Sequence, residues 1–298
     1  MAAFLALISS LMWGTADFFG GFVSKKIPAR KVLVLSYPVG LLFLLIYAFM
    51  LPGEITLNGF IVGSIAGVVG ILAMGSLYLA LAIGPMGVMS PVTAASSTFV
   101  PIAVGLIVGE KLSWIAWAGI GIAILSVILV SMETSPTGGR LAISGKGLAL
   151  SIASGLLIGT FLSLVGLASS VNGMWPLVFA RLMSSILVLG YFISKKSEKF
   201  NTGYDSKLFA LVIISGALDA TANAVFVLAT FDGYLSITAV IASLYPAATV
   251  ILATAFFERK INWYSICWNR NGFLFCRNSF PGLNLVIKFV PNLVPKSH

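Results

Sequence analysis

The longest stretch without a charged residue runs from Ile55 to Gly109, and its apolar residues are not confined to one helical face. A helix of about 20 apolar residues crosses the roughly 30 Å hydrocarbon core of a bilayer, so this stretch is long enough for two crossings. The whole chain is 59% hydrophobic and only 9% charged. A soluble domain has about a quarter charged residues. The sequence therefore predicts a polytopic, all-α membrane protein.

Polar turns divide the apolar sequence into nine complete predicted spans. The clearest turns are GPMG at 84–87, a polar linker at 133–146 and FDG at 231–233. The predicted spans lie at about 2–23, 32–51, 60–83, 88–108, 113–132, 147–169, 174–194, 207–230 and 234–257. A tenth span is expected to begin at Ile261. No basic segment precedes the first apolar run, which indicates a membrane helix rather than a cleaved signal.

The two halves of the chain align with each other. A shift of 148 positions places Glu110 on Glu258, and a shift of 145 places Gly14 on Gly159. Each repeat then holds five spans, and because five is odd, the second repeat enters the membrane from the opposite side. The repeat therefore predicts a ten-helix design built as two inverted five-helix repeats, which is typical of secondary transporters. A bundle duplicated without a transport function is the alternative.

Three stretches carry a resemblance to a known family: LMWGTADFFGGFVSKK, the run from LYLALAIGPMG to GEKLSW, and VIASLYPAATVILATAFFERK. Together they resemble the EamA-type drug/metabolite transporter superfamily over about residues 1–266. The acidic-basic ending of the fourth helix in each half is the most specific part. The resemblance implies ten helices in two inverted repeats, movement of small metabolites, and a central cavity open to one side. It implies no particular substrate.

The C-terminal sequence departs from the repeat. Trp263 aligns with Trp114, whose helix continues as IAWAGIGIAILSVILV, but the second copy continues into CWNRNGFLFC. A one-base shift of the codons from Cys267 to Gly272 permits Val-Gly-Ile-Val-Met-Ala, which suits a membrane helix. We interpret this tail as frameshifted, so that the tenth helix is disrupted; a divergent genuine tail is the alternative. The predicted domains are a first repeat at 1–132, a linker at 133–146, a second repeat at 147–266 and an aberrant tail at 267–298.

Three charged residues fall inside predicted spans: Asp17, Arg181 and Asp219. Intramembrane charges are costly and usually face a cavity or a partner. Arg181 is a candidate to bind an acidic group of the substrate, and Asp17 or Asp219 to carry a coupling proton. Asn223 is a further substrate-binding candidate, since it lies four residues after Asp219 on the same helix face. The alternative is a fixed ion pair of Arg181 with one of the aspartates that only holds the bundle together.

Aromatic residues and prolines supply further candidates. Trp13, Tyr78 and Tyr245 are candidates to stack on a substrate, with core packing or an interfacial belt as the alternative. Pro91 and Pro246 lie within the matching fourth spans of the two halves. Because proline frees a backbone carbonyl, each is a candidate to kink its span and line the site, and tolerated packing within the helix is the equal alternative.

The sequence argues against an enzyme. The single histidine is His298, and the two cysteines, Cys267 and Cys276, lie in the tail. No Ser-His or Cys-His pair, metal cluster or Walker loop is therefore predicted, and we expect no metal and no cofactor. The net charge of +9 lies mainly in short loops, so no nucleic-acid partner is expected. The expected partners are a small-molecule substrate and the lipid bilayer, with either a monomer or a homodimer. A passive channel, a structural membrane protein and an inactive truncated transporter are the alternatives.

The loop charges predict an orientation in the cell membrane. Cytoplasmic loops carry an excess of Lys and Arg. Twelve such residues fall on one side of the predicted topology and only Lys111 on the other. The twelve are Lys25, Lys26, Arg30, Lys31, Arg140, Lys146, Lys195, Lys196, Lys199, Lys207, Arg259 and Lys260. This count places the N-terminus outside, whereas the superfamily resemblance favours cytoplasmic termini.

Overall fold

The computed structural model describes residues 1–24, 29–83, 86–133, 145–194, 206–258, 266–269 and 272–275. Met1–Val250 form one compact unit, and Ile251–His298 form another. The helices are α1 (Ala2–Ser24), α2 (Ala29–Met50), α3 (Leu57–Ile83), α4 (Met86–Ser96), α5 (Phe99–Val108), α6 (Trp114–Glu133), α7 (Gly145–Asn172), α8 (Trp175–Ser194), α9 (Ser206–Phe231), α10 (Leu235–Ala242) and α11 (Tyr245–Glu258). Two short strands follow, β1 (Ile266–Asn269) and β2 (Gly272–Phe275).

Seven helical segments of the described chain are long and apolar enough to cross a membrane. They are α1, α2, α3, the α4–α5 segment, α7, α8 and α9. A helix suits this environment because all of its backbone hydrogen bonds form within one segment. Large apolar side chains point outward; Phe49 is 77% exposed and Ile107 is 84% exposed. Lipid rather than water suits such a surface, and the protein is a multi-pass membrane protein, as the sequence predicts.

The fourth span of each half is divided into two helices. Ser97–Thr98 separate α4 from α5, and Ser243–Leu244 separate α10 from α11. Pro246 lies in the first turn of α11, where its missing N–H is tolerated. Pro91 lies inside α4 without ending it, and the span is interrupted later, at Ser97–Thr98. The two halves therefore share an interrupted fourth span.

The described residues that follow α11 form a hairpin. β1 and β2 pair antiparallel, with Ile266 opposite Phe275 and Asn269 opposite Gly272. The start of the tenth span expected at Ile261 lies outside the described residues. The frameshift interpretation of residues 267–298 concerns the gene and stays a prediction.

Contacts between the two halves occur in matching pairs. The third helix of each half packs on the first two helices of the other half, α3 on α7 and α8, and α9 on α1 and α2. Likewise, α4 packs on α7 and α10 packs on α1. The Oγ atom of Ser9 donates to the carbonyl of Ala222, and that of Ser154 to the carbonyl of Ala73, both at 2.8 Å. The shift of 145 places Ser9 on Ser154, so the donors match in the repeat, while the acceptor Ala222 lies one residue after the position that a shift of 148 gives for Ala73.

Two crowded helix crossings are related by the same shifts. A Cβ on Gly14 would lie 2.6 Å from the carbonyl oxygen of Tyr245, and a Cβ on Gly159 would lie 2.5 Å from that of Ser97. The shift of 148 places Ser97 on Tyr245. Real Cβ atoms essentially never approach this closely. Glycine at both crossings therefore allows the first helix of each half to touch the broken span of the other.

We expect Gly14→Ala and Gly159→Ala to lower the free energy of unfolding by similar amounts, about 1–3 kcal/mol each, because the added methyl group pushes two helices apart. Gly119→Ala and Gly190→Ala are matched controls, since nothing lies within 4 Å of their added Cβ atoms. The controls are expected to gain about 0.5–1 kcal/mol from better helix propensity. Denaturant unfolding in detergent measures the difference. A cost at only one of the two crowded glycines would contradict the matched packing.

The main apolar core positions the intramembrane charges. It joins α2, α3, α7, α8, α9 and α10, and its fully buried side chains include Leu44, Leu177 and Phe226. Arg181 and Asp219 lie on two of these helices, α8 and α9. The rigid core therefore holds both residues in place from either side.

Candidate functional site

An ion pair joins α8 and α9 inside the membrane region. Nη2 of Arg181 contacts Oδ2 of Asp219. The Arg181 side chain is 11% exposed, whereas the Asp219 side chain is 36% exposed. The guanidinium is therefore enclosed and the carboxylate is the more accessible partner. Asp219 is one of the two partners that the sequence suggests for Arg181.

Tyr37, on α2, completes the environment of the guanidinium. The Cζ atom of Arg181 lies 4.6 Å from the centroid of the Tyr37 ring, which is a cation–π arrangement. Tyr37 is only 8% exposed. The sequence candidates do not include Tyr37, although SYPVG at 36–40 resembles the LYPAA at 244–248 that contains the candidate Tyr245. A second mid-span Tyr-Pro pair is the signal that identifies it.

Asn223 holds Asp219 in position. Its Nδ2 atom donates to the backbone carbonyl of Asp219 at 2.7 Å and, more weakly, to Oδ1 at 3.4 Å. Asn223 is 5% exposed. The four-residue spacing read from the sequence does bring these two side chains together. The contacts place Asn223 behind the carboxylate, where it supports Asp219 rather than facing an opening.

Asp17, on α1, lies beside the ion pair. Its carboxylate interacts electrostatically with Asp219 and with Tyr245, the first residue of α11. Asp17 is an exposed residue of the protein surface, and Tyr245 is half-buried. Asp17 of α1 and Tyr245 of α11 are thus electrostatic neighbours of the contact between Arg181 and Asp219, and we call these four residues the polar cluster.

A cavity of about 100 Å³ adjoins the ion pair. It is lined by residues of α2, α3, α7, α8 and α9, among them Tyr37, Met74, Phe161 and Ser184. A water molecule takes up about 30 Å³ of liquid, so this space suits a few waters. Small-molecule sites usually measure about 300–1,000 Å³. The described cavity is therefore smaller than most small-molecule sites.

The other aromatic candidates fall elsewhere. Trp13 is half-buried and packs against Phe226, with ring centroids 5.8 Å apart, so it contacts the apolar core and does not line the cavity. Tyr78 belongs to α3, but its side chain lies outside the described part of the structure. Contacts thus join three of the predicted site residues, Arg181, Asp219 and Asn223, whereas Trp13 packs in the apolar core.

The chemistry of the cluster follows from its charges. Fully ionised, it holds one positive and two negative side chains. The guanidinium has five N–H donors, and its hydrogen bond to Asp219 occupies one of them, so others can bind an acidic group. A proton on Asp17 or Asp219 would offset the excess negative charge. In the part of the chain that the structure describes, no group of three or more His, Cys, Asp and Glu residues could hold a metal ion.

Comparison with known proteins gives a family match within the first half of the chain. Residues 1–132 match the model of the EamA-like transporter family, a range that spans α1 to α6. No curated protein matches the chain significantly. The matched region includes Asp17 and Tyr37 of the site, as well as the Gly109-Glu110 sequence that ends the fourth span. Residues 1–132 are therefore EamA-like, and the chain is consistent with an EamA-type transporter of the drug/metabolite transporter superfamily.

Proposed function

We propose that the protein is a secondary transporter that exports a small metabolite or drug-like solute across the cytoplasmic membrane by alternating access. The observation that carries the proposal is the Arg181–Asp219 pair beside a cavity between helices of both halves. Charges at this depth are expensive in lipid and mark substrate or ion pathways. The EamA-like match of residues 1–132 supports a transport function.

The matched contacts between the halves support an inverted pair of five-helix repeats. The packing of α3 on α7 and α8 corresponds, when the two halves are exchanged, to the packing of α9 on α1 and α2. The interrupted fourth span of the first half, α4 and α5, likewise corresponds to α10 and α11 of the second half. In this architecture one half rocks against the other around a central site. The small size of the described cavity fits a gated carrier better than an open pore.

The cluster suggests a role for each residue. Arg181 binds an acidic group of the solute, and Asp17 or Asp219 carries the coupling proton. Asn223 positions Asp219 through its two hydrogen bonds. Tyr245, adjacent to Asp17, stays a candidate to stack on the solute. The contacts of Trp13 favour its alternative role in core packing.

Flux measurements in proteoliposomes test this function. Vesicles loaded with a labelled solute from a panel of acidic, neutral and basic metabolites are placed in the same unlabelled solute. A carrier is expected to show counterflow exchange and a response to a pH gradient. A passive channel would show flux without counterflow, and a structural or inactive truncated protein would show no flux with any solute.

The orientation proposed from the loop charges has the N-terminus outside. Asp232 and Lys146 are exposed residues near opposite ends of the bundle. In a background with Cys267→Ser and Cys276→Ser, we expect an impermeant maleimide to label Asp232→Cys, and not Lys146→Cys, on intact cells. The reverse pattern would establish cytoplasmic termini. A monomer or a homodimer in the cell membrane fits this proposal equally well.

The tail from residue 267 to 298 is proposed to arise from a frameshift near codon 267. The support is the mismatch between the sequence that follows Trp263 and the sequence that follows its repeat counterpart Trp114, which continues as a membrane span. Resequencing the gene across codons 260–298 tests the idea directly. An intact frame through this region would establish a genuine, divergent tail.

A further inference from the structure

The Gly109-Glu110 pair turns the chain back at the end of α5. Gly109 has a φ of +98°, in the left-handed region that glycine favours. The N–H of Gly109 donates to the carbonyl of Leu106 at 3.1 Å, and the N–H of Glu110 donates to that of Gly105 at 2.8 Å. These bonds satisfy carbonyls at the helix end. They also fold the Glu110 carboxylate against Gly105, where a Cβ would collide with it.

The Glu110 carboxylate caps a helix in the other half of the protein. Its Oε1 accepts from the N–H of Leu235 at 2.5 Å, and its Oε2 accepts from the N–H of Ser236 at 3.2 Å and from the Ser236 hydroxyl. The first N–H groups of a helix lack internal partners and carry the positive end of its dipole. Tyr234, at the N-cap of α10, supplies no side-chain cap. Glu110 therefore provides the cap from across the repeat boundary.

A second contact joins the two halves at the same end of the bundle. The Thr56 hydroxyl donates to Oδ1 of Asn172 at 2.5 Å and accepts from the N–H of Gly59 at 3.0 Å. Close by, Gly173 packs against the carbonyl of Pro52. We call this region the sealed end. It consists of the turns 51–56, 109–113, 173–174 and 232–234.

We propose that Glu110 is a latch that closes the sealed end of the transport pathway and must release in each transport cycle. The inference rests on the alternating-access function proposed above. When the halves rock, the end of α5 separates from the start of α10. The hydrogen bonds between Glu110 and α10 then break, and both partners bind water instead. Such an exchange is only modestly unfavourable, because bonds to water replace bonds to protein. A polar latch of this kind is reversible, whereas separating an apolar seal exposes apolar surface to water.

The conformational test uses a reporter inside the cavity. Met74→Cys, in the Cys267→Ser, Cys276→Ser background, places one thiol beside the ion pair. We expect Glu110→Gln to raise its alkylation by an impermeant maleimide from the sealed end by about tenfold, since the loss of a charged cap is of that order. Lys111→Gln is the matched control, at an exposed neighbouring residue, and should leave the rate unchanged. Ser236→Ala removes one of the three bonds and should give a smaller increase.

A reversible crosslink tests the requirement for release. Thr56→Cys with Asn172→Cys, once oxidised, is expected to stop counterflow, and reduction to restore it. Undiminished counterflow with the pair oxidised would overturn the latch, as would parental alkylation rates in both Glu110→Gln and Ser236→Ala. If alkylation responds to Glu110→Gln while no variant moves any solute, the latch holds as a conformational element and the transport function fails. The two proposals are therefore separable.

Discussion

Arg181→Ala is expected to abolish solute exchange. It is also expected to lower the free energy of unfolding by about 3 kcal/mol, the lower end of the range for breaking a buried ion pair. The reason is that the variant leaves the Asp219 carboxylate without its cation inside the bundle. Because the Asp219 side chain is 36% exposed, water offsets part of the loss. Denaturant unfolding in detergent and counterflow in proteoliposomes measure the two effects. Lys146→Ala, at an exposed residue near the start of α7, controls for the loss of a positive charge.

A double variant separates binding from structural support. Replacing a buried ion pair with apolar residues of similar size is often neutral or stabilising. Arg181→Met combined with Asp219→Leu is therefore expected to recover most of the stability lost in Arg181→Ala but none of the exchange. Parental exchange in the double variant would show that the pair only holds α8 and α9 in place. That result would remove Arg181 and Asp219 from the substrate site.

Asp17→Asn is expected to lower accumulation driven by a pH gradient by about tenfold or more, while exchange at equal pH persists. An amide of the same size keeps the packing but cannot carry a proton between the two sides. Asp17 suits this role because it is exposed and lies in the electrostatic reach of Asp219. Glu54→Gln is the control, since Glu54 is an exposed carboxylate in a turn. Full coupling in Asp17→Asn, with its loss in Asp219→Asn, would assign the proton to Asp219.

The sequence predicts the helical spans well because the bilayer dictates them directly. Hydrocarbon thickness fixes the length of a span, and the charges and turns between apolar runs mark its ends. The predicted span at 174–194, for example, corresponds to α8 at Trp175–Ser194. Pro91 is tolerated inside α4, as one of the two alternatives for it has it, and the span is interrupted instead at Ser97–Thr98.

The sequence predicts only part of the candidate functional site, and it does so through the cost of buried charge rather than through the thickness of the bilayer. The cost of a buried charge demands a partner, and this reasoning yields Asp219 as one candidate for Arg181. This reasoning cannot predict that the Tyr37 ring lies over the guanidinium or that Glu110 caps α10, because both contacts depend on how distant segments pack. The Glu110 motif is visible in the sequence, but its three hydrogen bonds appear only in the folded chain.

The exchanged packing of the third helices has a consequence for how this protein is made. Since α3 rests on α7 and α8, and α9 rests on α1 and α2, neither half holds a full set of its own packing partners. Chain synthesis delivers α1 to α3 first, so these helices wait in the lipid until later segments arrive from the ribosome. Assembly inside the membrane is thus a late event. Two separately expressed halves are expected to associate, because each half supplies packing partners that the other lacks.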